Sequence, residues 1–323
     1  MTGLRLVDRL DVLVLVDNAT DSLSTTPKNV VQEWAGLFAA GRLPTVSGSA
    51  ICHAHHGLSL LITAHLGDER RTLLFDAGPE GATLLHNAAI LGVDFGGVDA
   101  VVLSHGHWDH GGGLLTAVEA IGKRRTGFEC YMHPGMFAER STQRPDGTRF
   151  VFERIPEPAR LTKAGANVVV TREPHLIADG VFAVSGEVPR VTSYEVGVPG
   201  HQRRASDGRS WDDDPLIMDE RFVTARVKDK GVFVFSACSH SGIVNVLTHA
   251  RDVSSDPLYG AMGGLHLSGV TEKIIPDTVR DLKRFGLKLF APGHCTGWRA
   301  MSAMAREFGD ELAPSAVGKR YLL

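Results

Sequence analysis

Four residues able to bind a metal fall within six positions: His105, His107, Asp109 and His110, in the run Ser104-His105-Gly106-His107-Trp108-Asp109-His110-Gly111-Gly112-Gly113. Imidazole and carboxylate at this density suit zinc, with manganese or iron as the other candidates. His105 and His107 stand two apart in extended backbone, so both side chains point the same way and can share one cation. Asp109 and His110 lie past a turn and can reach a second cation a few ångströms away. A solvated polar loop is the plainer alternative, and it gives no reason for such a cluster to be framed by a strand and a helix.

The elements that must hold these residues are legible on both sides. Residues 99–103 read as a short buried strand, and 114–121 have helical spacing closed by Gly122. Other strands are expected at 12–18, 57–62, 72–78, 167–171, 181–185, 221–227, 232–235, 258–267, 288–291 and 316–323. Helices are expected at 29–40, 80–91, 276–285 and 298–308, several of them stopped by a glycine. His240 sits in a small-residue turn after a core strand, repeating the geometry of the first loop, and is expected as a third histidine on the first metal. His53, His55 and His56 precede the strand at 57–62, and His56 is expected to face the cleft.

Composition narrows the class. The chain has 323 residues, 43% hydrophobic and 22% charged, which is ample for a sizeable core in a soluble globule. A net charge of −3 leaves no basic footprint for nucleic acid. The apolar run 12–16, flanked by Asp11 and Asp17, is too short for a signal peptide or a membrane span. Cys52, Cys130, Cys238 and Cys295 are far apart, which fits a reduced cytoplasm better than a disulfide scaffold.

One domain, 1–323, is expected, because candidate ligands fall on both sides of a polar stretch at about 129–220. That stretch reads as a lid-like insertion. Glu187, Arg190, Arg203 and Arg204 within it are expected to meet substrate. The number of copies in the assembly is left open, a homo-oligomer included.

The run His105-x-His107-x-Asp109-His110 after a strand resembles the signature of the metallo-β-lactamase-fold superfamily. The resemblance implies an α/β fold, an αββα sandwich of two mixed sheets, with one or two metals at the strand ends. It makes His294, after the strand at 288–291, the counterpart of the last ligand histidine, on the second cation with Asp109 and His110. It also places Asp76 beneath the metal loop, orienting it.

Further stretches look like the subgroup of 7,8-dihydropterin-6-yl-methyl-4-(β-D-ribofuranosyl)aminobenzene 5′-phosphate synthases. They include Val16-Asp17-Asn18, Gly186-Glu187-Val188-Pro189-Arg190, Cys238-Ser239-His240-Ser241-Gly242-Ile243 and Gly293-His294-Cys295-Thr296-Gly297. One departure matters. Dinuclear members carry a bridging aspartate on the strand after the third histidine, whereas here the strand ends Gly263-Gly264-Leu265-His266. His266 is expected to replace it as a ligand, and with Asp109 to serve catalysis.

A site short of one carboxylate stays more positive and should favour a phosphate or diphosphate ester, possibly pterin-like, as a small anionic substrate. The expected activity is hydrolysis by a metal-activated hydroxide, or transfer with a metal-stabilised leaving group, at one or two Zn2+ per chain (Mn2+ or Fe2+ as alternatives). A binding module without catalysis, and a lactonase or esterase for neutral substrates, are the competing readings.

Overall fold

Residues 9–16 have two destinations, and the layers follow from them. Val12 and Val14 pack into a core shared by two sheets, while Leu13 and Leu15 pack under helices on the other side. The Gly231–Ser236 strand does the same, with Phe233 and Phe235 inward and Val232 and Val234 outward. Strands covered on both faces read as continuous apolar runs.

The computed structural model describes residues 3–252 and 254–323. One sheet has eight strands, in the order Ala166–Val170, Phe128–Met132, Ala100–Val102, Glu69–Phe75, Ser59–Leu66, Arg9–Val16, Arg320–Leu322 and Val30–Val31. The other runs His175–Ile177, Phe182–Val184, Phe222–Val227, Gly231–Ser236, Leu258–Gly264 and Leu289–Gly293, with Leu6–Val7 alongside Phe222–Val227. Helices Gly81–Leu91 and Leu114–Gly122 cover the first sheet. Helices Ile243–Ala250, Ile275–Leu282 and Trp298–Phe308 cover the second. Both sheets mix parallel and antiparallel pairs, so the expected αββα sandwich is what the chain forms.

Parallel pairing sets where chemistry can occur. Glu69–Phe75, Ala100–Val102 and Phe128–Met132 are mutually parallel, and so are Gly231–Ser236, Leu258–Gly264 and Leu289–Gly293. Their carboxyl ends therefore emerge along shared edges, and the histidine-bearing turns follow directly from those ends.

Two expectations change in detail. Val30 and Val31 of the expected 29–40 helix pair instead with Arg320–Leu322 as an edge strand, and the helix spans only Glu33–Ala39. Adjacent β-branched residues favour the strand, and Gln32 is still extended before the helix begins. The stretch 129–220 is not a single insertion. Ala166–Val170, His175–Ile177 and Phe182–Val184 complete the two main sheets. What lies outside them is a four-stranded sheet of Arg140–Gln143, Arg149–Val151, His201–Arg204 and Trp211–Asp213.

The glycine run after the histidines is a packing requirement. A Cβ on Gly112 would stand 1.8 Å from the Pro79 carbonyl oxygen, which is backbone and cannot swing aside. Gly112→Ala should therefore push the loop off its support and cost about 1–3 kcal/mol. Thermal unfolding should show a lower Tm, and metal titration a weaker site; a variant matching wild type in both would contradict this packing.

Candidate metal centre

His105 and His107 follow the Ala100–Val102 strand, and the Gly231–Ser236 strand delivers His240 opposite them. The His105 Nε2 atom lies 3.0 Å from His107 Nδ1 and 3.1 Å from His240 Nε2. Asp109, His110 and His294 form a second group: His110 Nε2 is 3.2 Å from His294 Nε2, and Asp109 Oδ2 lies 3.5 and 3.3 Å from those two atoms. Nitrogens on a tetrahedral zinc would stand about 3.3 Å apart, given bonds near 2.0–2.1 Å.

The hydrogen-bond network assigns the protons, and the assignment leaves lone pairs facing one another. His110 Nδ1 donates to Asp76 Oδ2 at 2.7 Å. Ser104 Oγ donates to the same oxygen at 2.7 Å, so it accepts from His105 Nδ1 at 2.9 Å. His294 Nδ1 donates to Asn18 Oδ1 at 2.9 Å. His201 Nδ1 donates to the Asp214 carbonyl at 2.8 Å, which leaves its Nε2 to accept from His107 Nε2 at 2.9 Å. The nitrogens turned inward, His105 Nε2, His107 Nδ1, His110 Nε2 and His294 Nε2, then carry no hydrogen in the neutral rings. Bare nitrogens cannot bond to each other at 3 Å; a cation between them satisfies all of them.

The turns are pinned by buried carboxylates. Asp76 accepts from the Ser104 backbone N–H at 2.7 Å, and Asp219 accepts from Gly106 N–H at 2.9 Å. Glu220 accepts from the N–H groups of His240 and Ser241, each at 2.7 Å. Asp17 accepts from His294 N–H at 2.9 Å. Asp76, Ser239, His266 and His294 all hold left-handed backbone conformations, with φ between 45° and 59°. Such positions cost about 1–3 kcal/mol each and persist only where the surroundings force them.

Electrostatics divides the two groups. Burial, then the neighbouring imidazoles, hold His105, His107 and His240 well below the usual histidine range, so they are neutral as ligands must be. His201 is also pushed down, to about 4, by burial and by Arg140. At His110, burial opposes a charge but Asp109 and Asp76 overcome it and raise the pKa to about 9. Burial likewise disfavours the Asp109 anion, yet His110 and His294 keep it well below the usual carboxylate range. The second group thus demands positive charge, which a proton supplies when a metal does not.

The other anticipated residues divide as well. His56 lines the cleft, its Nε2 3.5 Å from Asp109 Oδ2 and its Nδ1 2.9 Å from Asn18 Nδ2. His266 lines the cleft with its ring centre 4.4 Å from that of His240 and its Nδ1 without a partner among the described residues. Glu187 lies outside the cleft lining, paired with His133 at 3.1 Å and Arg172 at 2.6 Å. Arg190 is also outside it, donating to the carbonyls of Val188 and Leu216. Arg204 pairs with Glu139 at 2.7 Å and stacks over Trp211, while Arg203 is exposed on the same strand. The arginine among the cleft-lining residues is Arg144, in the turn that follows the Arg140–Gln143 strand.

Sequence reading passed over three residues that the fold brings here. His201 looked like the start of a polar stretch, and nothing local marks it. Cys238 and Cys295 are 57 positions apart, yet their sulfurs lie 3.3 Å from each other. Their adjacency to His240 and His294 was the available signal.

The cleft beside these groups has a volume of about 540 Å³. Phe152, Trp108, Val198 and Pro199 give it apolar walls, and Arg144, Gln202 and the histidines give it polar points. That is the size and lining of a small-molecule site.

The chain is similar to known proteins over most of its length. Residues 54–201 match the family model for the metallo-β-lactamase superfamily. A 7,8-dihydropterin-6-methyl-4-(β-D-ribofuranosyl)-aminobenzene-5′-phosphate synthase of Methanocaldococcus jannaschii is 28% identical over 273 residues, covering 82% of this chain and 89% of that protein. An uncharacterized protein of the same organism is 32% identical over 255 residues, covering 78% and 88%. The crystal structure of a metal-dependent hydrolase of the β-lactamase superfamily superposes with a TM-score of 0.69 at 21% identity, over 96% of this chain and 98% of that one.

Protonation gives a test of the division between the two groups. Near pH 7.5 the first metal equivalent should bind without displacing protons from His105, His107 or His240. The second should release protons, because His110 and His294 are both held charged in the metal-free site. Calorimetry in buffers of different ionisation enthalpy measures this directly; equal proton release at both steps would contradict it.

Proposed function

This chain belongs to the metallo-β-lactamase superfamily, and from that premise we propose that it is a metal-dependent hydrolase of a phosphate- or diphosphate-bearing small molecule. The observation that carries the reading is the set of inward imidazole nitrogens with no hydrogens to share, at the carboxyl ends of core strands. His105, His107 and His240 would hold one cation, and Asp109, His110 and His294 the other. Divalent cations there supply Lewis acidity and a water nucleophile near neutral pH.

The chain's own residues set the rest. Asp76 orients His110 directly and His105 through Ser104. Asp109 is the sole carboxylate among the groups of described residues able to hold a metal, so two divalent cations leave the site net positive. Arg144 extends that field to the mouth of the cleft, where a phosphate would enter. Phe152 and Trp108 offer flat apolar faces to a ring on the substrate. His56 and His266 face the same space and can hydrogen-bond to a phosphate oxygen or to the departing group.

A second reading is transfer rather than hydrolysis, favoured by the 28% identical synthase, whose name describes a phosphate-bearing compound. The same residues would then steady an anionic leaving group while an organic nucleophile replaces water. A zinc centre in a reduced cytoplasm is part of this proposal. Among the described residues, no helix is long and apolar enough to cross a membrane.

Metal-stripped and reloaded protein should be assayed against phosphodiesters, diphosphate esters, lactones and neutral carboxylic esters. Turnover should require metal and favour the phosphate compounds. Arg144→Ala should raise KM about tenfold for them with little change in kcat, the loss of one charge-assisted contact. Preference for lactones or neutral esters would overturn the anionic assignment, and silence of the fully loaded protein on every class would favour a binding module.

A further inference from the structure

No carboxylate stands at the end of the Leu258–Gly264 strand, and Gly264 itself leaves no room for a side chain. A Cβ on Gly264 would lie 2.4 Å from the Ala237 carbonyl oxygen, 2.7 Å from Cys295 Sγ and 3.0 Å from the His294 ring. The space is already filled, and one of its occupants is sulfur. The other sulfur, Cys238 Sγ, lies 3.3 Å from His110 Nε2. Cys238, His110 and His105 also bring their ligand atoms within 4.8 Å of one another. His105 belongs to the first histidine group and His110 to the second, so Cys238 stands between the two.

We propose that Cys238 ligates as a thiolate shared by the two cation positions, supplying a negative charge that no second carboxylate provides. This rests on the metal-centre reading above and goes beyond it, since nothing in the His-x-His-x-Asp-His pattern assigns a sulfur.

The surroundings fit that role. Cys238 is buried, at 2% exposure, and burial pushes its thiol pKa up, so a thiolate there depends on a cation beside it. Cys295 is its partner. Its Sγ accepts the His266 backbone N–H at 3.2 Å and lies 3.3 Å from Cys238 Sγ, so the two sulfurs can share one proton. A thiolate in place of a carboxylate restores one negative charge between two divalent cations and still leaves the site net positive. It also changes what the site prefers, because sulfur favours zinc over manganese and magnesium. When the cation binds, the Cys238 S–H bond breaks, its electron pair goes to the metal and the proton goes to solvent; no oxidant or reductant is needed.

Cobalt(II) reports such a ligand by an intense sulfur-to-cobalt charge-transfer band in the near ultraviolet, which nitrogen and oxygen ligands do not give. Reduced apoprotein titrated with cobalt should develop the band with the second equivalent. Cys238→Ser should lose it while still binding the first equivalent, and Cys295→Ser should keep it. X-ray absorption on the unaltered zinc-loaded protein should show a sulfur at about 2.3 Å beside nitrogens at about 2.0–2.1 Å, whatever the folding of the variants.

Two bound cobalt ions without the band, or a zinc shell without sulfur, would overturn the thiolate and leave the metal centre standing. Loss of the band in Cys295→Ser but not in Cys238→Ser would overturn the assignment to Cys238. Protein that takes up no metal at all would sink both readings.

Discussion

Imidazole nitrogens that face one another without hydrogens are the constraint on which this structure turns. The His105–His107 and His110–His294 pairs, at 3.0 and 3.2 Å, are repulsive while the rings are neutral, and burial denies the site water to separate them. Relief comes from positive charge placed between them. In the second group a proton on His110 can provide it. In the first, burial and mutual repulsion keep the three rings neutral, and a metal is the remaining source.

The rest of the fold supplies the force that holds such a cluster together. Two sheets with apolar runs on both faces bury a continuous core, and their parallel segments bring the turns to one edge. Asp17, Asp76, Asp219 and Glu220 then clamp those turns by accepting their backbone N–H groups. These carboxylates are themselves buried, at 3% exposure or less, so each clamp works in a medium where a charged acceptor is strong and an unpaired one costly. The left-handed turns at Asp76, Ser239, His266 and His294 are stable because of this support. Stability of the core is spent on geometry at the edge.

Much of this was legible in the chain. The strand before His105, the helix after Gly113 and the turns at His240 and His294 announce themselves through apolar runs ending in small residues. The sandwich followed from resemblance, because no local pattern tells two facing sheets from one. What stayed hidden depended on distance in space. Asp219 and Glu220 look like ordinary acids beside a strand, and their role appears once Gly106 and His240 are seen above them. His201 comes from the small sheet, whose short strands carry no strong periodicity. Arg203 and Arg204 stood out for their charge, but Arg203 is exposed and Arg204 pairs with Glu139, and Arg144 in the adjacent turn reaches the cleft instead.

The central claim is that the inward nitrogens exist to hold cations. Crystals grown with zinc and measured on either side of its absorption edge test it without reference to any substrate. The account predicts two anomalous peaks per chain, one among His105, His107 and His240 and one among Asp109, His110 and His294. A well-ordered structure of the zinc-treated protein with no peak at either position, and the rings still facing one another at 3 Å, would contradict it.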